Sequence, residues 1–161
     1  MAQSKTLHIS IIVPVYNEAE CLEACLQAIA RQTVKPFEVI VVDNNSTDET
    51  AEVAARFGFA RVLKEPRQGV VHARNRGFDA ARGDIIARID ADTLLPPEWL
   101  AQIRSIFVSP DVSAVSGSPH YYDFPLASLA DGIDMALRAR LARKLKDMNF
   151  LWGANMALRR S

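Results

Sequence analysis

Nowhere does this chain carry the run of roughly 18 uninterrupted apolar residues that a membrane-spanning helix needs. Charge of one sign is missing as well, since 19 basic residues face 19 acidic ones. Without a basic excess there is no general attraction to a phosphate backbone, so no nucleic acid is expected as a partner. Met1 to Ser10 holds one lysine and no apolar core ahead of a cleavage site. No signal peptide is expected, and the expected compartment is the cytoplasm. Cysteine is scarce: Cys21 and Cys25 sit at helical spacing on an apolar face, with no His or Cys cluster near them. They read as small buried hydrophobes, not as a zinc site or a disulfide. His8, His72 and His120 are scattered without metal-ligand spacing. No Gly-x-Gly-x-x-Gly follows the first apolar run and no Walker loop occurs, which excludes a dinucleotide dehydrogenase and a phosphate-loop nucleotidase. Repeats and low-complexity linkers are absent too, so residues 1–161 are expected to form a single domain.

What is present is an alternation of strand and helix patterns. His8 to Val13 is a β-branched run closed by Pro14. Leu22, Cys25, Leu26 and Ile29 then repeat as the buried stripe of a helix. Phe37 to Val42 is apolar at nearly every position, as in a parallel strand covered on both faces. Ser46 and Glu49 have capping-box spacing, which predicts a helix from about Thr47. Ala60 to Leu63 is a short strand expected near an edge. Val70 to Arg82 is helical, with Gly83 as the expected stop. Asp84 to Ile89 is a further strand, ending in Asp90. Pro96-Pro97 opens a helix carrying Leu100, Ile103 and Phe107, and Val112 to Val115 is another strand. Leu126 to Lys146 reads as a long helix, basic at Arg138, Arg140, Arg143, Lys144 and Lys146. This rhythm means an α/β sandwich, with a mostly parallel central sheet and helices on both faces. Ligands of such sheets bind outside the carboxyl ends of the strands. The polar clusters Tyr16-Asn17-Glu18, Asp43-Asn44-Asn45 and Asp90-Ala91-Asp92 all follow such ends.

Asp90-Ala91-Asp92 places two carboxylates one residue apart beyond a buried strand. Hard oxygen ligands of this kind suit Mg²⁺ or Mn²⁺, and the cation would neutralise a diphosphate; the plain alternative is a solvated acidic loop. Asp43 can accept a hydrogen bond from a base N–H, whereas Ser46 is expected to cap the next helix. Tyr16 offers a face for base stacking or packs over the sheet end. Arg74 and Arg76 flank Asn75 on a helix. A guanidinium there is either a diphosphate clamp or an ordinary surface residue.

IIVPVYNEAE at 11–20, VIVVDNNSTDET at 39–50, GVVHARNRGFDAARGDIIARIDADT at 69–93 and GANMALRR at 153–160 resemble four successive motifs of family 2 glycosyltransferases, in the family's order and near its spacing. The resemblance implies a Rossmann-like glycosyltransferase A-type fold. Residues 1–93 would be the nucleotide-binding half, ending in Asp-x-Asp, and 94–161 the start of the acceptor-side half. It implies transfer of a sugar from a nucleoside diphosphate, with a UDP-sugar favoured, to an acceptor hydroxyl with inversion and metal assistance. The donor-binding set would be Pro14, Tyr16, Glu18, Asp43, Asn45, Arg74, Asp90, Ala91 and Asp92, with Asp92 on the metal. Gly153, Ala154 and Asn155 would form the wall near sugar and acceptor. A saccharide or lipid-linked acceptor, as in cell-envelope polysaccharide synthesis, is implied, with a peripheral membrane contact through residues 126–146 as one reading of the basic helix.

The family pattern continues past Gly-Ala-Asn to an acidic general base, often within Glu-Asp, which this sequence does not reach by Ser161. The C-terminal part of the fold is therefore expected to be incomplete. Asp131, Asp134 and Asp147 do not match the base, so none is named. Two rivals follow. One is a nucleotide-sugar-binding protein or fragment without transfer. The other is a haloacid-dehalogenase-like phosphatase, using Asp90 as nucleophile and Asp92 as acid. The phosphatase motif follows the first strand of its domain and leaves 11–20 and 39–50 without a role.

Overall fold

Valine and isoleucine crowd both faces of the pleat, and the chain resolves this by covering a sheet with helices on each side. The computed structural model describes residues 6–117, 132, 133, 136 and 155–160. In order these form β1 (Ile9–Val15), α1 (Ala19–Ala30), β2 (Glu38–Asp43), α2 (Thr50–Ala55), β3 (Ala60–Lys64), α3 (Val70–Ala80), β4 (Ile85–Ile89), α4 (Trp99–Ile106), β5 (Ala114–Ser116) and β6 (Asn155–Arg159). The sheet runs β3-β2-β1-β4-β6-β5. Its first four strands are parallel, and β6 lies antiparallel between β4 and β5. The expected mostly parallel α/β sandwich is what forms, with β3 at an edge.

Successive side chains on a strand face opposite ways, and the core divides accordingly. Ile9, Ile11, Val13 and Val15 of β1 pack with Val39, Val41, Ile85 and Ile89 under α1, α2 and α4. The intervening Ile12, Ile40, Val42 and Ile86 pack with Ala73 of α3 on the other face. Cys25 lies fully within the first cluster, and burial pushes its thiol up to about 12, as an apolar filler would be. Neither cysteine is in a disulfide.

Pro14 does not close β1, which continues to Val15. Phe37 N–H donates to the Ile9 carbonyl (2.8 Å) and Asn44 N–H to the Val15 carbonyl (2.9 Å), so the odd positions of β1 turn their backbone groups toward β2. Ile85 N–H donates to the His8 carbonyl (3.0 Å), so the even positions turn toward β4. The β4 ladder stops at Ile12 opposite Arg88. The missing N–H of Pro14 thus falls past the end of that ladder, where a proline is tolerated.

Two helix boundaries also move. α3 ends at Ala80, before Gly83, because Glu38 and Ser10 draw the chain into the sheet. Arg82 N–H donates to Glu38 Oε1 (2.7 Å) and Gly83 N–H to Ser10 Oγ (2.9 Å). A Cβ at Gly83 would stand 2.7 Å from Ser10 Oγ and 2.8 Å from the His8 carbonyl oxygen, so the glycine serves this close approach and not a helix stop. Burial pushes the Glu38 carboxyl up, but the Arg82 and Ser10 donors outweigh it and hold the group below its ordinary value. α2 begins at Thr50, with no side-chain cap. The Ser46 hydroxyl instead accepts the Asn17 N–H (3.1 Å).

β6 carries no strand in the sequence reading, and β5 begins two residues later than the expected Val112. The long helix expected over 126–146 lies almost wholly outside the described residues, as do Asp131, Asp134, Asp147 and His120. Among the described residues no helix is long and apolar enough to cross a membrane.

Gly77 sets how closely α3 approaches the sheet. A Cβ there would lie 2.3 Å from Ile12 Cγ2 and 3.2 Å from Val42 Cγ2. Gly77→Ala is expected to destabilise the chain by about 1–3 kcal/mol through overpacking, despite the better helix propensity of alanine. A fall in the urea unfolding midpoint at unchanged slope checks it.

Candidate functional site

From β1 the chain steps outward to β2 and β3, then returns to add β4 on the other side of β1. Such a reversal opens a crevice outside the carboxyl ends of the strands. Three loops meet at that end: the one after β1 (Tyr16 to Glu18), the one after β2 (Asn44 to Glu49) and the turn after β4 (Asp90 to Thr93).

The first two loops are laced together. Asn17 and Asn45 both take positive φ, 53° and 66°, a conformation that asparagine tolerates better than most side chains. Thr47 N–H donates to Asn17 Oδ1 (2.8 Å), Glu18 N–H to Thr50 Oγ1 (2.8 Å) and Ala19 N–H to Asp48 Oδ2 (3.2 Å). The third loop is tied in through α1. Cys25 Sγ donates to the Asp90 carbonyl (3.8 Å), and Cys21 Sγ donates to Glu18 Oε2 (3.0 Å). Burial, followed by this contact with Glu18, pushes the Cys21 thiol up to about 12.

Each expected residue can now be placed. Pro14 is half-buried near the end of β1, and Tyr16 just beyond it is 49% exposed. Asp43 is buried at the end of β2, and its Oδ1 accepts the Ser46 N–H (3.0 Å). The turn therefore does use this carboxylate, in place of the cap expected from Ser46. Its second oxygen has no hydrogen-bond partner among the described residues. Asn45 reaches away from the crevice loops to the Pro66 carbonyl (2.8 Å) and Gln68 Oε1 (3.2 Å). Arg74, half-buried on α3, donates to Asn75 Oδ1 from Nε (3.2 Å) and Nη2 (3.1 Å). Ala91 is buried and Asp92 exposed. Asp90 is ion-paired with Arg88. Burial pushes the Asp90 carboxyl above its ordinary value, Arg88 opposes this and Asp92 adds to it.

Asn155 opens β6 opposite Ile89, so the antiparallel strand sets it beside the residue that precedes Asp90. Its Oδ1 accepts Trp99 Nε1–H (3.2 Å) and its carbonyl accepts Gly117 N–H (3.1 Å). Gly153 and Ala154 lie outside the described residues.

Sequence reasoning passed over Asn44 and Arg88. Asn44 is buried and organises the loop from Glu65 to Gly69. Its Nδ2 donates to the Glu65 and Arg67 carbonyls (both 2.8 Å) and its Oδ1 accepts Gly69 N–H (2.7 Å). Side-chain and backbone donors of Arg67 hold the Glu65 carboxyl down at about 2 in the same loop. The signal for Arg88 was in plain view, a single charge inside the apolar run of β4.

A sheet covered on both faces, with acids at its strand-order reversal, defines a doubly wound α/β domain with a candidate ligand crevice. Residues 10–161 match the sequence profile described as Glycosyl transferase family 2. Glycosyltransferase AglE of Haloferax volcanii is 31% identical over 158 residues, covering 94% of this chain and 52% of that protein. Among solved structures, mannosyltransferase PcManGT from Pyrobaculum calidifontis, in complex with GDP-Man and Mn²⁺, superposes with a TM-score of 0.77 at 29% identity, covering 96% of this chain and 45% of that one. Glucosyl-3-phosphoglycerate synthase from Mycobacterium tuberculosis, in complex with Mn²⁺, UDP and phosphoglyceric acid, gives 0.68 at 25%, covering 95% and 56%. The chain belongs to glycosyltransferase family 2. It spans about half the length of these relatives.

The loop scaffold yields a test of its own. Asn44→Asp keeps the shape but turns the donor toward the Glu65 and Arg67 carbonyls into a carboxylate. It is expected to destabilise the chain by about 2–3 kcal/mol, since a buried group loses its partners. Denaturant unfolding reads the loss, and easier proteolysis within residues 65–69 localises it.

Proposed function

We propose that this chain supplies the donor-binding part of a transferase that moves a sugar from a nucleoside diphosphate, with UDP favoured, to an acceptor hydroxyl with inversion. Residues 1–93 form its nucleotide half, and the acceptor side begins at residue 94. The observation that carries this reading is the meeting of Asp43, with one carboxylate oxygen left over from its turn, and the Asp90-Ala91-Asp92 turn at one end of the sheet. Relatives solved with GDP-Man, or with UDP, and with Mn²⁺ support it.

In this reading Tyr16 stacks on the base, a contact worth about 1–3 kcal/mol. Asp43 accepts the N–H of the base edge, Pro14 and Glu18 line the pocket, Asp90 accepts a ribose hydroxyl and Arg74 turns from Asn75 to the phosphates. Asn45 contributes by fixing the loop after β2, and Asn155 walls the sugar side next to β4. Among the described residues no group of three or more His, Cys, Asp or Glu side chains forms a metal cage. The donor set nonetheless fits Mg²⁺ or Mn²⁺, which accept one or two carboxylates with substrate phosphates and water completing the shell. Asp92 would hold such an ion, which when bound stabilises the charge that develops on the departing diphosphate. The attacking hydroxyl is deprotonated by a base that we do not assign. A saccharide or lipid-linked acceptor, at the inner face of a membrane met by the basic residues of 138–146, completes the proposal.

UDP affinity is expected to rise by about tenfold with Mn²⁺, and Asp92→Ala to remove that rise. Equal calorimetric affinities with and without metal in the wild type would count against Asp92. Thermal shifts with UDP, dTDP, GDP and ADP test the base. UDP and dTDP are expected to lead, because their N3–H meets a carboxylate, and GDP, whose guanine also presents N–H donors, is the alternative. A lead for ADP, whose Watson–Crick edge sets an amino donor beside an acceptor, rejects the role of Asp43. Binding of UDP-sugar without any transfer to acceptor would reduce the function to donor binding.

A further inference from the structure

At the amino end of β2, opposite the crevice, lies a cavity of about 290 Å³, near the lower end of the range for small-molecule pockets. Its wall is apolar. Ile29 and Ala30 come from the end of α1, Pro36 and Phe37 lead into β2, Val39 lies on that strand and Phe59 stands just before β3. Ile29 and Val39 are buried, whereas Phe37 and Phe59 are 47% and 44% exposed. Both rings are braced. Phe37 N–H is tied to the Ile9 carbonyl, its ring packs against His8 (4.8 Å between centroids) and the Arg82 guanidinium lies over it (5.8 Å). Phe59 meets Phe57 edge-on (5.7 Å). A preformed apolar wall takes up a ligand with little ordering cost.

Two charged side chains, Lys35 and Glu38, complete the lining. Glu38 is fully engaged. Its Oε1 accepts from Ser10 Oγ (2.8 Å) and the Arg82 N–H (2.7 Å), and its Oε2 pairs with Arg61 (3.5 Å) and Arg82 (3.2 Å). Lys35 differs: its Nζ donates to the Ala30 carbonyl (2.6 Å), and it forms no ion pair among the described residues. With the His8–Asp84 pair beside Phe37 included, three cations, Lys35, Arg61 and Arg82, are linked to this lining against the carboxylates of Glu38 and Asp84.

We infer that this cavity binds an anionic amphiphile, whose single hydrocarbon chain seats between Phe37 and Phe59 and whose carboxylate or phosphate head pairs with Lys35. An ammonium beside an apolar wall favours an acid with an apolar body, because a neutral chain leaves it without a counter-charge and a cationic chain repels it. A free amphiphile and a lipid of an anionic bilayer present this same chemistry. β2 runs from the cavity at Glu38 to the crevice at Asp43, about 17 Å at the rise of a strand. Amphiphile and nucleotide therefore do not compete, and the inference stands apart from the donor-site reading.

Calorimetric titration of the full chain with monomeric decanoate tests it. One saturable site is expected, unchanged by UDP, and weakened about tenfold by Lys35→Glu and by Phe59→Ser. Decanol and decyltrimethylammonium, which carry the same chain without the anion, are expected to bind about tenfold more weakly than decanoate. No saturable decanoate binding overturns the inference, as does equal binding of either control or displacement of decanoate by UDP. Should Phe59→Ser lose its native circular dichroism, the exposed substitution Lys35→Glu decides, and unchanged decanoate affinity in it overturns the inference. Sedimentation with phosphatidylcholine vesicles, with and without phosphatidylglycerol, then identifies the source. Pelleting with the anionic vesicles that both decanoate and Lys35→Glu abolish assigns a bilayer lipid. Pelleting that neither changes comes from another surface and, like no pelleting at all, assigns a free amphiphile to the decanoate site.

Discussion

Parallel pairing of β1 with β2 brings Val15 alongside Asp43, and the hydrogen bond from Asn44 N–H to the Val15 carbonyl extends that pairing one step beyond the strands. The rest of the site depends on this step. With Asn44 fixed, its side chain gathers the loop from Glu65 to Gly69 and so sets where α3 begins. On the other side Asn17 meets Ser46 and Thr47, which fixes where α1 begins. Both helices start from positions dictated by one register between two strands. Rigid strands therefore hold the polar loops, which is how an irregular surface can be kept precise enough for recognition.

Period was enough to read most of this architecture. β-branched runs became strands, the stripe of Leu22, Cys25, Leu26 and Ile29 became the buried face of α1, and the three polar clusters met at one end of the sheet because parallel strands share a direction. Long-range partners took over where local rules failed. Ser46 has a helix-cap signature, but the Asn17 N–H engages it from another loop. Gly83 has the place of a helix stop, but Glu38 and Ser10 end the helix earlier. Pro14 looks like a strand terminator, yet its missing donor falls where no neighbour asks for one. In each case the deciding group lies far away in sequence, and no window around the residue contains it.

The candidate site was legible in identity more than in role. Asp43, Asp90 and Asp92 were readable as acids after strands, but their partners within the fold were not. One Asp43 oxygen accepts from a turn N–H, and one Asp90 oxygen accepts from a buried guanidinium. Asn44 was invisible as a functional residue because a buried amide holding backbone groups looks, in sequence, like any turn asparagine. Asn155 was named from its motif, but its place beside β4 became visible only once β6 was seen to run antiparallel.

That last strand also bears on how the protein is made. β1 through β4 are drawn from a continuous stretch, and each can find its neighbour as it leaves the ribosome. β6 cannot, because Arg159 must emerge before it can pair with Ile85. Until then the inner edge of β4 and the whole of β5 lack their shared partner, exposing unpaired backbone that invites another chain. Synthesis thus yields a parallel four-strand half able to assemble early and a β4 edge that waits. Slow translation or dilute expression should favour correct closure of that edge over association between nascent chains.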